Sequence, residues 1–99
     1  MSIIVNNILF EGPYSNADKL KCQSGIYLII CRRGNRNSII DVGESDNIKM
    51  KIETCNHKEI WAKYSKCGTL TIAIHYTPNL HQSDRIKIQE KIKNNYNIV

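Results

Sequence analysis

The sequence lacks any apolar run near the roughly 20 residues that a membrane-spanning helix needs. Its first residues, Met-Ser-Ile-Ile-Val-Asn-Asn, lack the basic and apolar regions of a secretion signal. Repeats and low-complexity tracts are also missing. These absences argue against a membrane partner, and we expect a cytoplasmic protein.

Paired cysteines are missing as well, because the four cysteines occur without any CxxC pair. Zinc sites commonly use such close pairs, and disulfides are rare in a reducing compartment. The nearest approach to a ligand pair is Cys55 with His57, which is a weak metal signal. We therefore expect scattered reduced thiols and no resident cofactor.

The composition is that of a folded globular protein, with 41% hydrophobic and 23% charged residues. A chain of 99 residues fits one domain, predicted over 1–99, and leaves no room for a second core. The net charge is +5 and the pI is about 9.1. This charge is compatible with nucleic-acid binding, because Lys and Arg supply the phosphate contacts, but Lys-rich surfaces also serve solubility alone.

Residues 1–23 are predicted as an N-terminal lead-in to a core over 24–97. A short strand or extended stretch covers 3–10, Glu11-Gly12-Pro13 breaks it, and 14–24 is irregular or briefly helical. The apolar, β-favouring run GIYLIICR at 25–32 predicts a buried strand.

A turn at 34–37 and a second strand at 38–42 complete a hairpin. The pattern next predicts a helix from Asp46 to about Asn56, with Ser45 or Asp46 as its N-cap. Residues 57–64 either extend this helix or form a second short one.

Apolar residues alternate over 69–76, which predicts a strand, and a Lys-rich helix follows from His81 to about Asn94. A hairpin, a helix and a third strand indicate an α+β fold with a three-stranded antiparallel sheet flanked by helices.

Two fragments of the hairpin carry a family resemblance. The first strand begins with Ser24-Gly25-Ile26-Tyr27, and the second ends with Asp41-Val42-Gly43-Glu44-Ser45. Together they resemble the paired signature of the GIY-YIG nucleases, with Gly-Ile-Tyr intact and Tyr-Ile-Gly changed to Asp-Val-Gly. The segments at 11–14 and 76–78 resemble a small stand-alone bacterial branch of that family.

The resemblance implies a three-stranded antiparallel sheet flanked by helices and hydrolysis of a DNA phosphodiester with one divalent metal, Mg or Mn. Such hydrolysis requires an oriented nucleophile, a Lewis acid and charge stabilisation.

The resemblance also implies site positions, most of which are substituted. Tyr27 matches the first signature tyrosine, whereas Asp41 stands where the second would be. Lys51 replaces an arginine, keeping its charge but losing the planar fork that grips two phosphate oxygens. Cys55 replaces a histidine one helical turn later.

Gln89 and Glu90 compete for the position of the family's metal-binding glutamate. At about 100° per residue, Ile86, Ile88 and Ile92 define an apolar arc with Gln89 near its middle and Glu90 outside it. Gln89 is then the equivalent residue, and a neutral amide is a poor ligand for a hard dication. Asn97 is the candidate for a late asparagine, although Asn94 and Asn95 are close.

The substitutions favour a nuclease-like domain that binds nucleic acid, DNA before RNA, with lost or impaired hydrolysis. The candidate binding residues are basic and lie on the hairpin and the following helix: Arg32, Arg33, Arg36, Lys49, Lys51 and Lys58. One alternative is an active metal-dependent DNA endonuclease that uses Tyr27, Asp41, Glu44 or Glu90. The other is a protein-binding regulator that reuses the fold, and the oligomeric state stays open.

Overall fold

Five antiparallel strands form one sheet in the order β1-β2-β5-β3-β4. The computed structural model describes residues 2–14, 18, 20–34, 36–54 and 69–96. Its elements are β1 (Ser2–Val5), β2 (Ile8–Tyr14), β3 (Gly25–Arg33), β4 (Arg36–Ser45), α1 (Ile48–Thr54), β5 (Thr69–Tyr76) and α2 (Gln82–Asn95). The predicted α+β class is confirmed, with both helices packed against this sheet.

The predicted three-stranded sheet is wrong, because the N-terminal segment adds β1 and β2 beside β5. The stretch predicted as one strand over 3–10 folds back at Asn6 and Asn7, whose φ angles are 53° and 64°. Two consecutive left-handed residues make the tight turn that suits the twist of a two-residue hairpin, and asparagine tolerates that conformation. Val5 pairs with Ile8 across the turn.

Strand β2 also continues through the predicted break at Glu11-Gly12-Pro13 and ends at Tyr14. The pairing with β5 shifts register between Glu11 and Tyr14. Gly12 has a φ of 113°, which side chains rarely allow. The Gly-Pro pair therefore marks an irregularity within a strand, and the predicted lead-in is part of the sheet.

The two faces of the sheet carry separate apolar clusters. Leu28, Val42 and Ala73 face α2, where Ile92 is fully buried; we call this the α2 face. Tyr27, Ile29 and Ile74 face α1, where Ile48 and Ile52 are buried; we call this the α1 face. Because successive residues of a strand point to opposite faces, neighbours such as Tyr27 and Leu28 lie on different sides.

The predicted N-cap of α1 and the predicted buried arc of α2 both differ from the structure. The N-cap of α1 is Asn47, whose Oδ1 accepts a hydrogen bond from the Met50 backbone N–H at 3.2 Å, and neither Ser45 nor Asp46 fills that role. On α2 the buried residues are Arg85 and Ile92, while Ile86 is 41% exposed and does not define the buried arc. Among the described residues, no helix is long and apolar enough to span a bilayer.

The cysteines do not all behave as predicted. Cys22 is free and exposed, but Cys31, buried in β3, is disulfide-bonded, so the expectation of reduced thiols is wrong for Cys31. Cys55, the predicted helix end to Asn56 and the possible helix over 57–64 lie outside the described residues.

Thr77, just after β5, is 4% exposed, and its Oγ1 has no hydrogen-bond partner among the residues that the structure describes. We expect Thr77→Val to raise the free energy of unfolding by about 1 kcal/mol, because valine has a similar shape and removes an unpaired hydroxyl. Urea unfolding followed by circular dichroism measures this change. Thr71→Val is the matched control: its Oγ1 donates to the Ile30 carbonyl at 3.5 Å, so its loss should not stabilise. Destabilisation by Thr77→Val would show that the hydroxyl has a partner.

Candidate functional site

The two signature fragments lie side by side, because Tyr27 and Gly43 are directly paired between β3 and β4. Tyr27 is 3% exposed, and its ring occupies the space above Gly43, where a methyl group would lie 2.6 Å from the ring Cε1. Gly25 faces the backbone of β5, where a methyl group would lie 2.6 Å from the His75 carbonyl oxygen. Both glycines are therefore required for packing, whatever chemistry the site performs.

Asp41 lies on the same face as Tyr27, two residues before Gly43 along β4. Its carboxylate is half-buried, and Oδ1 accepts a hydrogen bond from the Val42 backbone N–H at 2.9 Å. The structure thus brings together two of the predicted site residues. Both side chains make further interactions within the protein.

A polar pocket of about 220 Å³ opens where β4 ends and both helices begin. Its lining is formed by Glu44, Ser45, Asp46, Lys51, Gln82 and Arg85. Arg85 Nε donates to Glu44 Oε2 at 2.9 Å, and the two side chains are only 7% and 13% exposed. Gln82 Nε2 donates to the other carboxylate oxygen at 3.4 Å, so Glu44 is held on both sides.

Lys51 is the described cation of this pocket that remains available to bind an anion. Its side chain is exposed, and among the described residues it forms no ion pair. Arg85, by contrast, uses Nε for Glu44 and Nη1 for the Leu80 carbonyl at 3.1 Å. An incoming anion would therefore meet Lys51 first.

The sheet separates Gln89 from Tyr27 and Asp41. Gln89 belongs to α2, which packs on the α2 face, whereas Tyr27 belongs to the α1 face. Gln89 is half-buried and Glu90 is exposed, as the helical geometry predicts. Neither side chain joins Tyr27 in one site.

The predicted basic residues also form two groups. Arg32 is exposed near the tip of the β3–β4 hairpin, whereas Lys49 and Lys51 lie on α1 at the other end, roughly 25 Å away at the rise of a β-strand. Arg33 and Arg36 pair through their backbones beside the hairpin turn. Lys58 and Asn97 lie outside the described residues.

Metal ligands are not gathered in the part of the chain that the structure describes. No group of three His, Cys, Asp or Glu side chains is placed to hold an ion there. Glu44 is engaged by Arg85, and Asp46 is the other carboxylate of the pocket. The known preference of Mg²⁺ for several oxygen ligands is therefore not met at this position.

Sequence reasoning missed the role of Arg85, which is 6% exposed. The spacing of residues along α2 could have indicated it. Ile88, Gln89 and Ile92 follow Arg85 by three, four and seven residues, so all four lie on one helical face. A charged residue on the buried stripe of a helix requires a partner, and Glu44 supplies it.

Comparison of the chain with protein-family models, curated proteins and solved structures gave no match. The fold and site define a small α+β domain with a five-stranded antiparallel sheet and a buried Glu–Arg pair beside an exposed lysine. The likeness to the GIY-YIG nucleases rests on the signature residues themselves.

Proposed function

We propose that this domain binds nucleic acid, DNA in the first place and RNA in the second, with lost or impaired phosphodiester hydrolysis. The pocket at the end of β4 carries the proposal. Glu44 is mostly buried and forms an ion pair with Arg85, whereas Lys51 in the same pocket is exposed and unpaired among the described residues. Lys51 can contact a phosphate there, next to the exposed Asp46, and among the described residues no third carboxylate joins Glu44 and Asp46 to hold a metal.

The net charge of +5 supports the same proposal, because sequence-independent affinity for nucleic acid comes mainly from Lys and Arg contacts to phosphate. A cytoplasmic location is part of the same proposal, and it requires that the Cys31 disulfide forms in reducing surroundings, where disulfides are rare.

Binding to a short DNA duplex should weaken steeply with salt, and Lys51→Gln should reduce the slope of log affinity against log salt by about 1, the value for one lost phosphate contact. Fluorescence anisotropy across a salt series measures both. Glu53→Gln on the same helix is the matched control, because it also removes one exposed charge but of opposite sign. Failure to bind DNA or RNA at low salt would refute the proposal.

The same preparation should leave a supercoiled plasmid intact in Mg²⁺ or Mn²⁺. Nicking that disappears in Tyr27→Phe would instead establish an active endonuclease with a rearranged site. Nicking that persists in Tyr27→Phe would indicate a contaminating nuclease.

A protein partner is the second candidate function, and one observation favours it. Ile4 and Leu9 are directly opposite each other on β1 and β2 and are 72% and 55% exposed. Among the described strands β1 lies at an edge of the sheet, and an edge strand can pair with another chain through its backbone. Recovery of a host protein that stays bound at high salt, and is lost with Ile4→Ser, would favour this function.

A further inference from the structure

We propose that a cavity beside Tyr76 binds a single unpaired nucleobase, stacked on the tyrosine ring. This inference rests on the proposed nucleic-acid binding and specifies a single-stranded or locally unpaired substrate. The cavity measures about 250 Å³ and is lined, among the described residues, by Leu9, Glu11, Ile74, His75 and Tyr76.

The wall of the cavity suits a flat, partly apolar ring. Tyr76 is half-buried and packs against the core on the α1 face, which holds its ring in place. Its hydroxyl accepts a hydrogen bond from the Lys21 backbone N–H at 2.8 Å, which fixes the outer end of the side chain. Leu9 and Ile74 supply apolar contacts beside it. An aromatic ring fixed at both ends loses little entropy when a base stacks on it.

The charges around the ring fit a nucleotide. Lys21 Nζ lies over the face of the Tyr76 ring, 5.5 Å from its centre, in a cation–π contact. A base that stacks on this face displaces the ammonium, which is then free to contact the phosphate of the same nucleotide. Glu11 is exposed and lines the same cavity, so its carboxylate can accept a hydrogen bond from a base amino group. Burial, as the largest cause, raises the pKa of Tyr76, and the nearby Glu11 and Tyr14 act in the same direction. The hydroxyl therefore stays neutral at physiological pH and does not repel phosphate.

The cavity also lies close to the signature tyrosine. Tyr27 pairs directly with Ile74 on β5, and Tyr76 follows two residues later on the same face. Diagonal neighbours of this kind are about 7–8 Å apart at their Cα atoms. A base held by Tyr76 would bring the adjoining backbone of a single strand to the α1 face.

The test is binding of an oligo-dC strand of about 12 nucleotides, within the usual site sizes of small single-strand-binding domains. Tyr76→Leu should weaken this binding by about 5- to 150-fold, the loss of one stacked base, while Tyr76→Phe should bind nearly as the unsubstituted protein does. Tyr96→Leu is the matched control, because Tyr96 is also partly exposed but lies at the end of α2. Circular dichroism verifies that each variant is folded.

If Tyr76→Leu does not fold, ultraviolet crosslinking of the same oligonucleotide to the unsubstituted protein gives the answer. Peptide mapping should place the adduct at Tyr76, and an adduct only elsewhere would refute the site. Undiminished oligo-dC binding by folded Tyr76→Leu would overturn this inference and leave the proposed function standing. Absence of binding to both duplex and single strand would overturn both.

Discussion

Arg85→Met is expected to lower the free energy of unfolding by about 3–5 kcal/mol, because it leaves the Glu44 carboxylate buried without its partner. Methionine preserves the apolar stem of the side chain, so the loss reports the guanidinium rather than packing. The α2 helix should also detach at its first turn, since Arg85 joins it both to Glu44 and to the Leu80 carbonyl. Urea unfolding measures the free energy, and hydrogen exchange of the α2 amides measures the detachment.

Two further variants make this prediction specific. Arg32→Met removes an exposed arginine and should change stability by less than about 0.5 kcal/mol. The double variant Glu44→Leu, Arg85→Met removes both charges and should recover much of the loss, because an apolar pair of similar volume often replaces a buried ion pair without cost. A double variant as unstable as Arg85→Met alone would show that the charges are not the cause.

Gly43→Ala is expected to destabilise the domain by about 3 kcal/mol, near the upper end for overpacking a well-packed core. The added methyl group would overlap the ring of Tyr27, which is 3% exposed and packed within the apolar cluster of the α1 face. In a Tyr27→Leu background the same change should cost much less, because the overlapping ring is gone. Thermal unfolding of the four proteins in this cycle measures the coupling.

Gly34→Ala is the control for the backbone effect of losing a glycine. Gly34 has a φ of 60°, but a methyl group there would meet no atom of the described residues within 4 Å. It should therefore cost only the strain of a left-handed alanine, about 1 kcal/mol. Equal losses for Gly43→Ala and Gly34→Ala would contradict the ring-overlap explanation.

The two glycines of the signature fragments have a structural role that is independent of any chemistry. Gly25 and Gly43 are explained by close approach to the His75 carbonyl and to the Tyr27 ring, respectively. Both contacts belong to the packing of the sheet and do not depend on the side chains at positions 41, 51 or 89. The signature can therefore persist in a domain that no longer cuts nucleic acid.

The local sequence determined the central elements. Alternating or continuous apolar residues identified β3, β5 and α2, because periodic burial is written directly into the order of side chains. The helical geometry also distinguished half-buried Gln89 from exposed Glu90. The N-terminal hairpin was missed although its signal is local, since Asn6-Asn7 is a turn-forming pair between two apolar stretches.

Only the tertiary structure decided which side chains meet. Arg85 and Glu44 are 41 residues apart, and their pairing depends on α2 crossing the end of β4. The separation of Gln89 from Tyr27 depends on which face of the sheet each helix covers, and the Tyr76 cavity depends on β2 lying beside β5. The sequence by itself therefore determined the signature hairpin and the basic charge. The packing of α2 against the end of β4 decided that the Glu44 carboxylate forms an ion pair with Arg85. Contacts between segments so distant in the chain arise only when it folds.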